Sequence, residues 1–152
     1  MSAANEDLER VLHREGIELA SIQKRAFAFV IDEVLLSFLL IVAMWDSFGE
    51  VSNTQEMILL TNQYLFEYML IKIAYQTFFV AQYGATLGKM AQKIRVIESG
   101  TIAKPSLASS LNRAVFRVIS EMFFYLGFLW GMMDPMRQAW HDKTARTLVV
   151  NA

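Results

Sequence analysis

One segment constrains this chain more than any other. From Ala26 to Trp45 runs AFAFVIDEVLLSFLLIVAMW, 20 residues interrupted only by Asp32, Glu33 and Ser37. A helix needs about 20 mostly apolar residues to cross the ~30 Å hydrocarbon core of a bilayer. Two further apolar stretches follow. Met57 to Tyr83 carries Glu67 and Lys72, and Leu107 to Met133 carries Arg113, Arg117 and Glu121. At 55% hydrophobic residues, the chain exceeds the ~45–50% of soluble domains and is not a disordered one. The apolar residues are concentrated rather than spread. The pattern predicts an all-α membrane protein with two to four transmembrane or re-entrant helices, in contact with the lipid bilayer. It divides into a polar N-terminal segment, 1–20, and a membrane domain, 21–150. No apolar run follows Met1, so no cleavable signal peptide is expected.

Composition removes several classes of function. A net charge of -1 gives no reason to expect nucleic acid. The absence of Cys excludes a disulfide scaffold, thiolate metal sites and a cysteine nucleophile. His13 and His141 stand in the polar head and tail without a second His at ligand spacing. No metal site, no Ser/His/Asp set and hence no enzyme activity is expected. GATLGK at 84–89 lacks the G-x-x-x-x-G-K-[ST] spacing of a phosphate loop, and no other motif calls for a cofactor.

Charge sets the expected orientation. The loop at 46–56 has no Lys or Arg, whereas Lys24 and Arg25 precede the first stretch. Lys89, Lys93, Arg95 and Lys104 fill 84–106, and Arg137, Lys143 and Arg146 lie in the tail. The positive-inside rule places all three basic regions in the cytoplasm. Three full crossings would instead put the tail outside. Residues 107–120 lying at the interface, with 121–133 folding back, would remove the conflict; a single crossing with an external tail is the other reading. Ile94–Ile97 and Thr101–Lys104 read as a small cytoplasmic β-hairpin around Glu98-Ser99-Gly100, with Thr147–Val150 as a third strand.

Charges inside apolar stretches cost about 2.5–3.5 kcal/mol each on insertion scales. Two readings stand side by side. In one, Asp32 and Glu33 are proton-exchanging carboxylates, Arg25 a counter-charge, and Glu67 and Lys72 a facing polar pair. In the other, ion pairs merely fix helix register. Arg113, Arg117 and Glu121 form an i,i+4 ladder that either anchors at lipid headgroups or pairs internally.

RAFAFVID, GATLGKMAQKIRVI and RQAWHDKTARTLVV, in this order and spacing, resemble the RDD family of small bacterial inner-membrane proteins. The resemblance covers about residues 20–150. It implies that Arg25, Asp32 and Asp142 are the family's namesake Arg and two Asp. The family's loop pattern would match Gly84, Thr86, Gly88 and Lys89. It further implies transport of unknown ligands, with Na⁺/H⁺ antiport in some members. The expectation is therefore a small homo-oligomeric transporter exchanging a monovalent cation for protons. The alternative is a non-transporting accessory subunit or assembly factor of a larger membrane complex.

Overall fold

The computed structural model describes residues 3–152. The chain is mostly helical. A first helix, α1 (Ala3–Arg14), precedes the long α2 (Ile22–Ala43). Ser21 caps α2 by accepting from the Lys24 amide at 3.2 Å, as helix starts commonly require. A short turn, α3 (Trp45–Gly49), leads to α4 (Thr54–Gln63) and α5 (Leu65–Tyr83). Gly84 ends α5 in the left-handed region at φ 71°. Then come α6 (Leu87–Ala91), strand β1 (Ile94–Glu98), α7 (Leu107–Met122), α8 (Leu126–Met133), α9 (Trp140–Ala145) and strand β2 (Thr147–Asn151).

Among the described residues, α2 is the one helix that alone has the length and apolarity to cross a membrane. At 22 residues it spans about 33 Å. Only 17% of its most apolar window is buried, so it is not the core helix of a soluble fold. The Met57–Tyr83 stretch, expected as a single span, breaks at Tyr64 into α4 and α5. Lys72 and Gln76 lie on the buried face of α5, one turn apart. The third stretch is bent by 105° between α7 and α8. Phe124 and Tyr125, both at positive φ, make the corner. Gly127 lets α8 fold back, because a Cβ there would collide with the Ser120 hydroxyl and come within 2.9 Å of the Trp140 ring. The fold-back reading of 107–133 is the one this geometry fits.

The expected hairpin is corrected. β1 pairs antiparallel with β2, with Val96 opposite Val149 and Ile94 opposite Asn151. Thr101–Lys104 forms no strand. Ile102 takes φ 57°, its amide donates to the Glu98 carbonyl at 3.0 Å, and Pro105 follows, a residue that cannot donate to a ladder. β2 is the central element. Its other edge takes residues 18–20, through a Leu19–Val150 bridge and an Ala20 amide donating to Val149 at 2.9 Å.

Alternation along the strands places side chains on opposite faces. Ile94, Val96 and Val149 join Ala20, Ala28 and Val80. Ile97, Leu148 and Val150 join Leu12 of α1 and Met136. The polar N-terminal segment is thus packed on the sheet through Leu12, with Leu8, Ile17 and Leu19 beside it. This pairing also brings the chain before α2, the 84–106 loop and the tail to one end of the molecule.

Leu148 is fully buried. Leu148→Ala is expected to cost about 2–5 kcal/mol, seen as a lowered denaturation midpoint in detergent, while Thr101→Ala at the exposed turn stays within about 0.5 kcal/mol.

Candidate functional site

The polar residues of the apolar helices converge instead of scattering. On α2, Ala28, Asp32 and Leu36 form the buried face at i,i+4 spacing. On α7 the buried face is polar, with Ser110, Arg113, Arg117 and Ser120 among its members. Leu107, Leu111 and Met122 of the same helix are exposed. α7 packs against α5 on one side and α9 on the other, so its charges reach both neighbours. Three linked clusters result.

The first centres on Asp142, which is fully buried at the start of α9. Arg25 from the first turn of α2 donates to Oδ2 at 2.5 Å, Arg113 donates to Oδ1, and the Ala139 amide donates to Oδ2 at 3.0 Å. Arg113 also reaches the Thr147 hydroxyl at 2.8 Å, and Arg25 reaches the Arg137 carbonyl. Burial alone would raise the pKa of Asp142. The Arg113 and Arg25 charges outweigh it and hold the carboxyl well below the usual carboxylate range. His141, beside it, is also buried, 5.1 Å from the Phe128 ring, and its Nδ1 has no partner. Burial pushes its pKa well below the ordinary 6.5; Asp142 opposes this, and Arg113 and Arg25 add to it.

The second cluster holds Asp32, with no exposed surface. Three donors close around it: the Tyr75 hydroxyl at 2.8 Å, the Thr86 hydroxyl at 2.7 Å and the Gly88 amide at 2.8 Å. α6 lies directly on α2 here. A Cβ on Gly88 would strike the Ala28 carbonyl and sit 2.8 Å from the Asp32 carboxylate, so only glycine allows the approach. Lys89, also buried, reaches only the Thr86 hydroxyl at 3.4 Å. Burial, then the Arg117 and Arg113 charges, pushes its pKa well below its ordinary value.

In the third cluster Lys72 lies between Glu33, at 2.8 Å, and Glu121. Arg117 Nε is 3.6 Å from Glu121, and its guanidinium lies over the Phe29 and Phe128 rings at 4.9 and 5.7 Å. The structure therefore joins Arg25 to Asp142, not to Asp32. It gives Lys72 to Glu33 and Glu121. The expected Glu67–Lys72 pair is not formed: Glu67 lies on the exposed side of α5, five positions from Lys72, so the two diverge around the helix. Arg113 and Arg117 are both buried. Tyr75, a residue of the second apolar stretch, is a donor to Asp32. Thr86 and Gly88 were visible only as parts of the GATLGK motif, without their partner.

These features define a class: a helical protein with one clear apolar span, apolar faces outward, and buried acids that find partners within the chain. The RDD family model matches residues 19–146, and the chain belongs to the RDD family. No curated protein and no solved structure matches it. Family and apolar helix together point to a membrane protein.

Asp142→Asn would leave the buried Arg113 and the half-buried Arg25 without a counter-charge, an expected loss of about 3–5 kcal/mol in the unfolding free energy. The neutral His141 gives a pH signature. Below pH 6.5 the unfolded chain takes up a proton that the folded chain refuses. Stability therefore falls with decreasing pH, by up to about 1.4 kcal/mol per unit. Melting in detergent between pH 8 and 5 checks this, and His141→Asn should flatten the slope.

Proposed function

We propose that this RDD-family protein is an integral protein of the bacterial inner membrane and a non-enzymatic, non-transporting accessory or assembly subunit of a larger membrane complex. The observation that carries the reading is the state of its acids. Exchange of a monovalent cation for protons needs a carboxylate that a cation can reach and that can lose its present partners. Asp32 is enclosed by three donors. Glu33 and Glu121 share Lys72, and Asp142 is held by two arginines. Glu67, the remaining sequence candidate, faces outward. Acids held by partners within the chain fix helix packing, which is what a scaffold requires.

The proposed topology follows from the shared end of the fold. The start of α2, the 84–106 loop and the tail meet there and carry Lys24, Lys93, Arg95, Lys104 and Lys143, whereas 46–56 has no Lys or Arg. The positive-inside rule assigns that end to the cytoplasm. α2, the α4–α5 pair and the bent α7–α8 pair would then lie in the bilayer. Exposed apolar side chains along them, such as Phe27, Val34 and Phe38 on α2, offer surface to lipid and to a partner's helices.

Reconstituted in vesicles, the protein is expected to give no Na⁺- or K⁺-driven proton movement above protein-free vesicles, for wild type and Asp32→Asn alike. Flux in the wild type that Asp32→Asn abolishes would overturn the reading in favour of a cation–proton exchanger. For topology, the chain has no native cysteine. Cysteines at Ser99 and Ala152 should resist an impermeant reagent in intact cells, while one at Ser52 should react.

A further inference from the structure

A cavity of about 270 Å³ lies between the first turns of α2, the end of α8 and the start of α9. Its wall is largely apolar, with Phe29, Val30, Phe128, Leu129 and Met132 among its members. Its polar groups are Arg25, Lys89, Arg113, Arg117, His141 and Tyr125, and no carboxylate lines it. Arg25 and Arg113 are already committed to Asp142. Lys89 and Arg117 are not so committed. Both are at least nine-tenths buried. Among the described residues, Lys89 has no acid within ion-pair distance. Arg117 has only Glu121 at 3.6 Å, and its Nε and Nη2 make no hydrogen bond. Buried guanidinium donors without acceptors carry a desolvation cost that an anion in the cavity would remove.

The shape of the cavity narrows the choice of anion. Its mouth is rimmed by Val30, Leu129 and Met132, all more than half exposed, so an apolar chain could leave the cavity along the outer surface between α2 and α8. The basic floor lies at the first two turns of α2. If α2 spans the bilayer as proposed above, that is the level at which phosphate headgroups sit.

We propose that this cavity is a binding site for an anionic phospholipid, its phosphate held by Arg117 and Lys89 and one acyl chain lying over Val30, Leu129 and Met132. Arg117 donates from its free N–H groups, charge-assisted bonds that are the strong kind for phosphate. Phe29 and Phe128 hold the guanidinium plane in position. Tyr125, which packs edge-on against Phe29 at 5.9 Å, closes one wall.

The test is native mass spectrometry of the purified full chain in a neutral detergent, titrated with phosphatidylglycerol, phosphatidylcholine or inorganic phosphate. One phosphatidylglycerol should bind per chain, about tenfold more tightly than phosphatidylcholine. Arg117→Gln should weaken it by about tenfold or more. Because Arg117→Gln could also disturb folding, Val30→Glu serves as a second variant at an exposed position; its rim carboxylate should repel the phosphate and reduce binding while the melting temperature holds. Millimolar inorganic phosphate should not displace the lipid. Equal binding of the two lipids would overturn the site, as would binding unchanged in both variants. Displacement by inorganic phosphate would overturn the lipid assignment in favour of a free anion. The measurement reads neither flux nor a partner subunit, so its failure leaves the accessory role standing, and flux in vesicles would leave the lipid site standing.

Discussion

The carboxylate of Asp142 is the point on which the arrangement depends. It bonds Arg25 at the start of α2 and Arg113 in the middle of α7, and it caps its own helix through the Ala139 amide. Arg25 lies 117 residues before Asp142 and Arg113 lies 29 before it. A buried ion pair in a low-dielectric setting is weak evidence of net stabilisation, because desolvation offsets much of the attraction. What it supplies is exclusivity. With Arg113 buried and Arg25 half-buried, any packing that moves α9 away leaves two cations unpaired and is disfavoured. The β2 strand that follows α9 is then delivered beside β1, and residues 18–20 close the other edge.

The same logic explains why the chain is polar inside and apolar outside. Hydrophobic burial does little to hold helices together when the surroundings are themselves apolar, and packing with interhelical hydrogen bonds takes over. α7 illustrates it: its buried face is Arg113, Arg117 and Ser120, and its exposed face Leu111, Phe116 and Met122. At the end that holds the sheet, the pattern reverts to that of an ordinary small domain. There Leu12, Ile97, Met136, Leu148 and Val150 form a conventional apolar cluster.

What the sequence allowed to be read follows the same division. The apolar stretches, the polar connectors and the namesake residues Arg25, Asp32 and Asp142 were legible because they rest on local composition or on a motif. Their pairing was legible only as alternatives. Arg25 shares a helix face with Asp32 and, with the tail on the same side, could also meet Asp142; the contact that forms is with Asp142. The helix-face argument sees neighbours on one element and is blind to what another element brings. The hairpin failed for the same reason. Ile94–Ile97 had a local partner in Thr101–Lys104 and a distant one in Thr147–Val150. The distant strand won because it could bury Leu148 and Val150 against α1 and Val149 against α2 and α5. Glu67 and Lys72 were grouped because they interrupt the same stretch, but five positions place them on different sides of a helix.

The namesake residues therefore divide into two separate tasks. Arg25 and Asp142 join the helices to the sheet. Asp32 performs a different one: it accepts from Thr86 and Gly88 and so seats the G-x-T-x-G-K loop on α2. Since that loop leads directly into β1, Asp32 sets where β1 begins just as Asp142 sets where β2 begins. The two carboxylates position the two strands that must pair, one from each side of the bundle. Lys89 is carried into the interior by this second anchor, next to Arg117 and without a close acid. The positive excess at the cavity floor is thus a consequence of how the strands are placed. It arises because the acids that could have neutralised Lys89 and Arg117 are already engaged in holding the fold together.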